Sequence, residues 1–337
     1  MSPEPGTSGD GDRGGPAGST PGIGAHRSRR GLWIAIGAAI VLVLAGGLVG
    51  LHYITPASST AAGAAIPVVA AENFWGSLLT QMGGSDVQVH TIVSDPNADP
   101  HDYESTTADA VAIAGARLVV ENGAGYDDWC QKIITSSNTQ GQVVLNVADL
   151  LGKVAGDNPH FWYGAAYVNA TLAAMYSDLV AVAPADAGYF STQYAQLNAS
   201  LNLDVWGLEA QIRAQYAGVE VASTESIFVY MANSTGLDLV SPPEFMNAVA
   251  DGDDPPTSSV TTFENQLESG MVPLLVYNAQ TITPLTDQMK AIAIDNNVSV
   301  VAVTETLVPP DATFQIWMEG ELFAIETALG VAAAGSS

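Results

Sequence analysis

Two histidines and two glutamates are the residues of this chain whose types and positions could do chemistry. His101 and His160 each follow a proline in a polar loop, while Glu225 and Glu305 each come directly after a short apolar run that is typical of a β-strand. Two neutral imidazoles and two carboxylates together carry a charge that balances one divalent cation and makes its burial tolerable. The set therefore predicts a site for one divalent metal ion.

The donor types narrow the choice of metal. Nitrogen and oxygen ligands together suit zinc, manganese or iron(II) better than calcium, which prefers oxygen ligands only. The proline before each histidine restricts the backbone, so the imidazoles have little freedom to lose on binding. Four protein ligands close the shell of a zinc ion, whereas a hydrolytic zinc site keeps three ligands and a bound water. The set therefore favours a binding site over an enzyme.

The elements that must position these residues alternate between short apolar runs and longer helical segments, which is typical of an α/β fold. Functional residues in such folds tend to lie just beyond the carboxyl ends of strands. A long stretch without strand-like runs separates two sets of strands, and Pro184 divides it into two helical pieces. The sequence predicts two α/β lobes joined by a long helix: an N-terminal metal-binding lobe at 66–165, linking helices at 166–217 and a C-terminal metal-binding lobe at 218–337.

Charge is distributed unevenly along the chain. The 337 residues carry 35 acidic and 9 basic side chains, a formal net charge of −26, which argues against a nucleic-acid partner because counterion release needs a basic surface. Four arginines lie in the first thirty residues, before the stretch 31–54, which has no charged side chain. A span of about 20 apolar residues crosses a membrane, and flanking arginines remain in the cytoplasm. The pattern predicts a disordered cytoplasmic tail at 1–30, a transmembrane signal-anchor at 31–54 and a linker at 55–65, with both lobes on the extracytoplasmic face.

Cleavage of the apolar segment is the alternative. Ala62-Gly63-Ala64 fits the small-residue site of a secretory signal, and cleavage near Ala64 would release the lobes as a secreted protein. The single cysteine, Cys130, can form neither an intramolecular disulfide nor a thiolate zinc cluster.

Six separated motifs, in one order along the chain, resemble a known family. They are ENFWG from Glu72, DPNADPHDYES from Asp95, NGAGYD from Asn122, NPHFW from Asn158, STESIF from Ser223 and VTET from Val303. Together they look like the solute-binding receptors of manganese and zinc ABC importers, and the resemblance extends from Ile66 to the carboxyl end. It implies a two-lobed receptor with a rigid backbone helix between the lobes and one metal in the cleft. It also implies delivery of that metal to a separate permease and ATPase.

The resemblance assigns one metal ligand to each of four loops. His101 matches the first ligand and His160 the second. Glu225 matches the third, which is His in many zinc receptors and Glu in several manganese receptors. Glu305 matches the fourth, usually Asp, so its side chain is one methylene longer than the family pattern. The transported ion is therefore expected to be zinc or manganese, with Glu225 favouring manganese and the general order of affinities favouring zinc.

The chain departs from the family in two places. Many members carry a lipid-modified cysteine after the signal, whereas Cys130 lies deep in the folded part, so the sequence predicts no lipid anchor. The connection at 151–157 also lacks the histidines that zinc receptors often have there. Two other functions remain open at this level. One is an extracellular metal-dependent hydrolase that uses His101, His160 and one glutamate, and the other is a membrane-tethered adhesion or interaction module with a structural metal.

Overall fold

The fold is described from a computed structural model, for residues 64–96, 100 and 103–335. The predicted tail at 1–30, the transmembrane segment at 31–54 and the linker up to its last two residues lie outside this range. His101 lies outside it as well.

Among the described residues, four parallel strands form the sheet of the first lobe in the order β2-β1-β3-β4. Val68 of β1 pairs with Val89 of β2 on one side and with Leu118 of β3 on the other. Most of β1 is buried, as expected for a parallel strand that helices cover on both faces. The strands are β1 (Ile66–Glu72), β2 (Val87–Val93), β3 (Leu118–Glu121) and β4 (Val143–Asn146), and the helices are α1 (Asn73–Gly83), α2 (Thr107–Gly115), α3 (Asp128–Ser137) and α4 (Val147–Leu151).

The second lobe repeats this arrangement within the described range, with parallel strands in the order β6-β5-β7-β8. The prediction of two α/β lobes is thus confirmed, although the two-residue strand β6 was not predicted. The strands are β5 (Glu220–Ser223), β6 (Asp238–Leu239), β7 (Leu274–Asn278) and β8 (Ser299–Val303). The helices are α8 (Val229–Thr235), α9 (Pro243–Ala250), α10 (Thr257–Glu268), α11 (Pro284–Asp295) and α12 (Phe314–Gly335).

Both sheets have a topological switch point between their first and third strands. The chain leaves β1 for β2 on one side and returns to β3 on the other, and it does the same with β5, β6 and β7. Connections that diverge in this way leave a crevice at the carboxyl ends of the strands. In the second lobe Glu225 lies just after β5 and Asn278 ends β7, so both residues flank this crevice.

Helices α5 (Ala165–Val182), α6 (Ala187–Ser200) and α7 (Trp206–Tyr216) connect the lobes. Proline cannot continue a helix, and Pro184 begins a short 3₁₀ turn that separates α5 from α6, as predicted. A π-helical turn, Leu201–Val205, joins α6 directly to α7 without leaving helical backbone angles. Helix α6 packs against α1 of the first lobe, whereas α7 packs against α8 and α12 of the second. The segment from α6 to α7 therefore contacts both lobes.

One hydrophobic core runs through both lobes and fixes the elements around the cleft. It includes Phe74 and Trp162, whose rings stack with their centroids 4.0 Å apart, and Phe228 and Met318 from the second lobe. By length and a mean hydropathy of 1.2, α5 is the one helix among the described residues that could cross a membrane. Its residues Leu172 and Met175 belong to this core.

Candidate metal site

His160, Glu225 and Glu305 meet between the lobes. All three are fully buried, and one ligand atom from each lies within 4.8 Å of the other two. His160 Nε2 is 3.6 Å from Glu225 Oε1 and 3.8 Å from Glu305 Oε2. Ligand atoms at the corners of a tetrahedral zinc shell stand about 3.3 Å apart. The three side chains therefore have nearly the spacing that a shared metal ion requires.

The imidazole of His160 is oriented by Asn158. Asn158 Oδ1 accepts the backbone N–H of His160 at 3.0 Å and lies 2.8 Å from Nδ1. Since this oxygen can only accept, the neutral ring carries its proton on Nδ1 and turns the lone pair of Nε2 towards the two carboxylates. Asn158 Nδ2 donates to the carbonyl of Ser226 in the second lobe at 2.6 Å. One amide thus sets the tautomer of the histidine and links the lobes.

The loop that carries His160 is also held by hydrogen bonds from the first lobe. Asn122 Nδ2 donates to the carbonyl of Pro159 at 2.9 Å, and Trp75 Nε1 donates to Asn122 Oδ1 at 3.1 Å. Gly123, at φ +76°, follows Asn122, and a Cβ there would meet Asn146 Oδ1 at 2.4 Å. The turn after β3 can therefore close under the histidine only with glycine at this position.

Glu225 and Glu305 are held by polar groups at and just after the end of β7 and by one hydroxyl of the first lobe. Asn278 Nδ2 donates to Glu225 Oε2 and to Glu305 Oε1, both at 2.8 Å. Gln280 Oε1 accepts the backbone N–H of Glu305 at 2.7 Å. From the first lobe, the hydroxyl of Tyr126 donates to Glu305 Oε2 at 2.8 Å. The extra methylene of Glu305 is thus accommodated in a defined set of hydrogen bonds.

Helix α12 supports the strand end that carries Glu305. Glu321 Oε1 accepts the backbone N–H of Thr304 at 2.9 Å, and Glu321 Oε2 accepts the hydroxyl proton of Tyr163 at 2.7 Å. Burial raises the pKa of Glu321 to about 8. This carboxyl is therefore largely protonated at neutral pH and adds little negative charge near the site.

The structure brings three of the four residues expected from the sequence into one cluster, and the fourth, His101, lies outside the described residues. Reasoning from the sequence did not find Asn158, Asn278 or Gln280. Asn278 and Gln280 stand at the end of a correctly predicted strand, so the strand-end rule that pointed to the glutamates could have found them.

A cavity of about 400 Å³ opens beside the cluster. Tyr126, Asn158 and Ser226 line it, and so do Asp157 of the first lobe and Asp251 of the second. Its lining is mainly polar, which suits the approach of a hydrated cation.

A second group of buried acids lies in the first lobe. Burial, and then the charge of Asp127, raises the pKa of Glu72 well above its usual range. The same two causes raise the pKa of Glu121 to about 7. Asp127 accepts backbone N–H groups of Asn122 and Gly123 at 2.6 and 2.7 Å, which oppose the effect of its own burial on its pKa. No histidine lies among these acids. Within the described range, their carboxylate oxygens do not come close enough together to form a group of metal ligands.

The family model of zinc-uptake complex component A, periplasmic (ZnuA), matches residues 68–328. A manganese-binding lipoprotein, MntA, of Halalkalibacterium halodurans is 24% identical over 184 residues, which make up 53% of this chain and 60% of that protein. A putative metal-binding protein of Treponema pallidum is 28% identical over 83 residues, 25% of this chain and 26% of that protein. The chain thus spans less than two thirds of the length of these two relatives.

Solved structures share the fold. Structures of a periplasmic metal-binding protein of Candidatus Liberibacter asiaticus align over 78% of this chain and 98% of theirs. The manganese-bound form has a TM-score of 0.64 at 21% identity, and the cadmium-bound form has 0.64 at 20%. A crystal structure of ZnuA aligns over 78% of this chain and 99% of its own, with a TM-score of 0.64 at 18% identity. At these identities the likeness establishes the two-lobed fold.

Proposed function

The chain belongs to the zinc-uptake complex component A family, and from that premise we propose that it captures one divalent metal ion outside the cytoplasm for import. The observation that carries the proposal is the buried cluster of His160, Glu225 and Glu305 between the lobes. Two carboxylates and an imidazole in a dry site are costly unless a cation compensates them. The family comprises metal-binding uptake components and not enzymes, so the hydrolase hypothesis is dropped.

The metal ligands in this proposal are His160, Glu225 and Glu305, with His101 as the fourth. The pairing of one histidine with two glutamates across the cleft supports the first three. The position of His101 in the motif DPNADPHDYES supports the fourth. The ion is zinc or manganese, since the relatives include a family named for zinc and a protein named for manganese.

The partners in this proposal are an ABC permease and its ATPase. The apolar segment at 31–54, with arginines before it, supports an anchor that holds the lobes at the extracytoplasmic face of the membrane. The domain boundaries expected from the sequence fit this view: lobes at 66–165 and 218–337 face the metal, and the helices of 166–217 act as the backbone between them. Contacts of α6 with the first lobe and of α7 with the second support this role.

Metal titration of the full-length chain tests the proposal. We expect the protein, purified in mild detergent and stripped with a chelator, to bind one zinc or manganese ion per chain in isothermal titration. His160→Ala should weaken binding by a factor of about 100 or more, because it removes the nitrogen ligand of the buried cluster. His90→Ala is the matched control, since His90 is an exposed histidine of β2 and is not part of the buried cluster. Equal affinity of His160→Ala and the control would overturn the assignment.

A further inference from the structure

The two glutamates of the site share one hydrogen-bond donor. The side-chain nitrogen of Asn278 lies 2.8 Å from Glu225 Oε2 and 2.8 Å from Glu305 Oε1, and the residue is 1% exposed. An amide nitrogen carries two hydrogens, so each carboxylate can receive one. We propose that Asn278 is a positioning residue that holds both carboxylates in one-oxygen ligation and thereby favours zinc over manganese. This inference rests on the proposed function.

Strand order explains why one residue reaches both glutamates. Glu225 follows β5 and Glu305 follows β8, and β7 lies between these strands in the sheet. Neighbouring strands lie about 4.8 Å apart, so β5 and β8 stand nearly 10 Å from each other. A residue at the carboxyl end of β7 is therefore placed to bridge the two strand ends with one short side chain. Asn278 is that residue.

The orientation of the amide is fixed by its other end. Asn278 Oδ1 accepts the backbone N–H of Gln280 at 2.9 Å. The nitrogen end must then face the carboxylates, as it does. Thr281 Oγ1 is a third acceptor, 3.0 Å from the same nitrogen, and shares a hydrogen with one of the two carboxylates. A reversed amide would place its oxygen against two carboxylates and its NH₂ against a backbone N–H. The donor role of Asn278 is thus determined by the backbone of the following turn.

The carboxylates divide their oxygens between the amide and the histidine. Glu225 Oε2 and Glu305 Oε1 face Asn278, while Glu225 Oε1 and Glu305 Oε2 are the oxygens nearest to His160 Nε2, at 3.6 and 3.8 Å. Glu305 Oε2 also accepts the hydroxyl proton of Tyr126 at 2.8 Å, so the two oxygens of each glutamate are distinguished by which of them faces His160, and not by the absence of a hydrogen bond. Each glutamate is therefore prepared to offer one oxygen to a metal.

One oxygen from each glutamate changes the preferred ion. With the imidazole of His160 and, in the proposed function, that of His101, two single oxygens would make a four-coordinate shell of the kind zinc adopts. Manganese favours more oxygen ligands in an octahedral arrangement, which carboxylates supply best when both of their oxygens can bind. Because Asn278 carries no charge, it restrains the two carboxylates without adding a ligand charge. Its loss should free two oxygens and shift the preference towards manganese.

Two substitutions at position 278 test the inference. Asn278→Ala removes both donors, whereas Asn278→Asp keeps the volume and the acceptor for Gln280 N–H but replaces the donor with a further oxygen. Dissociation constants for zinc and for manganese would be measured on the full-length protein by competition with a chelator. We expect the affinity ratio of zinc to manganese to fall by about tenfold in both variants, a change of the size by which losing a group that orients ligands lowers metal affinity.

Asn146→Ala is the matched control. Asn146 Nδ2 donates to Glu121 Oε1 at 2.9 Å in the first lobe, the same contact of an amide with a strand-end carboxylate away from the cluster. The zinc-to-manganese ratio should not change in this variant. A purely structural role of Asn278 would lower both affinities by one factor, and that result would overturn the inference.

A spectroscopic measurement keeps the inference testable if neither variant folds. X-ray absorption on the zinc-loaded wild-type protein should give four light-atom ligands, and five or six would contradict one-oxygen ligation. Failure of the wild-type protein to bind either metal would instead overturn the proposed function. Tight binding with an unchanged ratio in both variants would overturn only the role of Asn278.

Discussion

Both lobes bury carboxylates at strand ends, but the groups that surround these carboxylates differ between the lobes. In the first lobe, Glu72 and Glu121 end β1 and β3 and lie near Asp127. In the second, Glu225 and Glu305 follow β5 and β8 and face the imidazole of His160. In the first group, protonation reduces the cost of burying a charge, since the pKa values of both glutamates are raised. The carboxylates of the second group face the lone pair of the His160 imidazole, and the amide of Asn278 holds them in place.

The comparison shows that burial and residue type do not by themselves make a metal site. Burial raises the pKa of Asp127, although the two backbone N–H groups that it accepts favour its charged form, and burial followed by the charge of Asp127 raises the pKa of Glu72 and Glu121. No nitrogen ligand faces these acids within the described residues. An imidazole with its lone pair directed at the acids is the feature that distinguishes the second group.

The largest expected effect separates Glu225 from Glu121. Glu225→Gln should raise the dissociation constant for zinc by a factor of about 100 or more, because the site loses a charged ligand. Glu121→Gln, a strand-end glutamate of the other lobe, should leave the constant within about twofold of wild type. Chelator competition on the full-length chain measures both. Similar losses in the two variants would show that the two groups of acids act as one.

The next effect concerns proton binding by the first lobe. Glu121 has a pKa of about 7 in the fold against an ordinary value of 4.5, so between these values the folded chain holds a proton that the unfolded chain has lost. The contribution of Glu121 to stability is therefore most favourable below about pH 4.5 and falls as the pH rises, until the change is complete above about pH 7. In Glu121→Gln, we expect this decrease in the free energy of unfolding to be smaller by about 2 to 3 kcal/mol.

Urea unfolding of the metal-free protein at pH 5 and pH 8 measures this decline. Glu104→Gln provides the control, because Glu104 is an exposed glutamate of the same lobe. If the wild-type protein and Glu121→Gln lose equal stability over this interval, a proton does not compensate the burial of Glu121.

The smallest effect concerns the contact between the lobes at the site. Tyr126→Phe removes the hydroxyl that donates to Glu305 Oε2. Such a bond to a charged group contributes about 1.5 to 3 kcal/mol at most when buried, and metal ligation by the same oxygen should reduce its share. We expect the zinc affinity to fall about fivefold. Tyr189→Phe, which alters a hydroxyl bonded to the backbone of Ser85, should leave the affinity unchanged, and a loss in both would point to a general effect on folding.

Much of the fold follows from local patterns in the sequence. Apolar runs predicted every described strand except β6 in outline, and Pro184 predicted the break between α5 and α6. The strand β6 has only two residues, Asp238–Leu239, and is too short to give a pattern. The order of strands in each sheet was also not predicted, because it depends on pairing between segments far apart in the chain.

The candidate site divides in the same way. Position just after a strand pointed to Glu225 and Glu305, and a motif pointed to His160 and His101. The contact of Asn278 with both glutamates was not foreseen, since it exists only because β7 lies between β5 and β8. The π-helical turn was not foreseen either, since Leu201–Val205 has no composition that separates it from an α-helix.

That π-helical turn has a consequence for the geometry of the cluster. The backbone hydrogen bond of a π-helical turn closes over one residue more than that of an α-helical turn. Deleting a single residue from Leu201–Val205 would restore an α-helix and turn the chain beyond it by about 100° around the helix axis. His160 precedes the turn, whereas Glu225 and Glu305 follow it. The angular alignment of the histidine with the two glutamates therefore depends on the exact length of a segment that contributes no ligand, and selection on metal binding should act on insertions and deletions there.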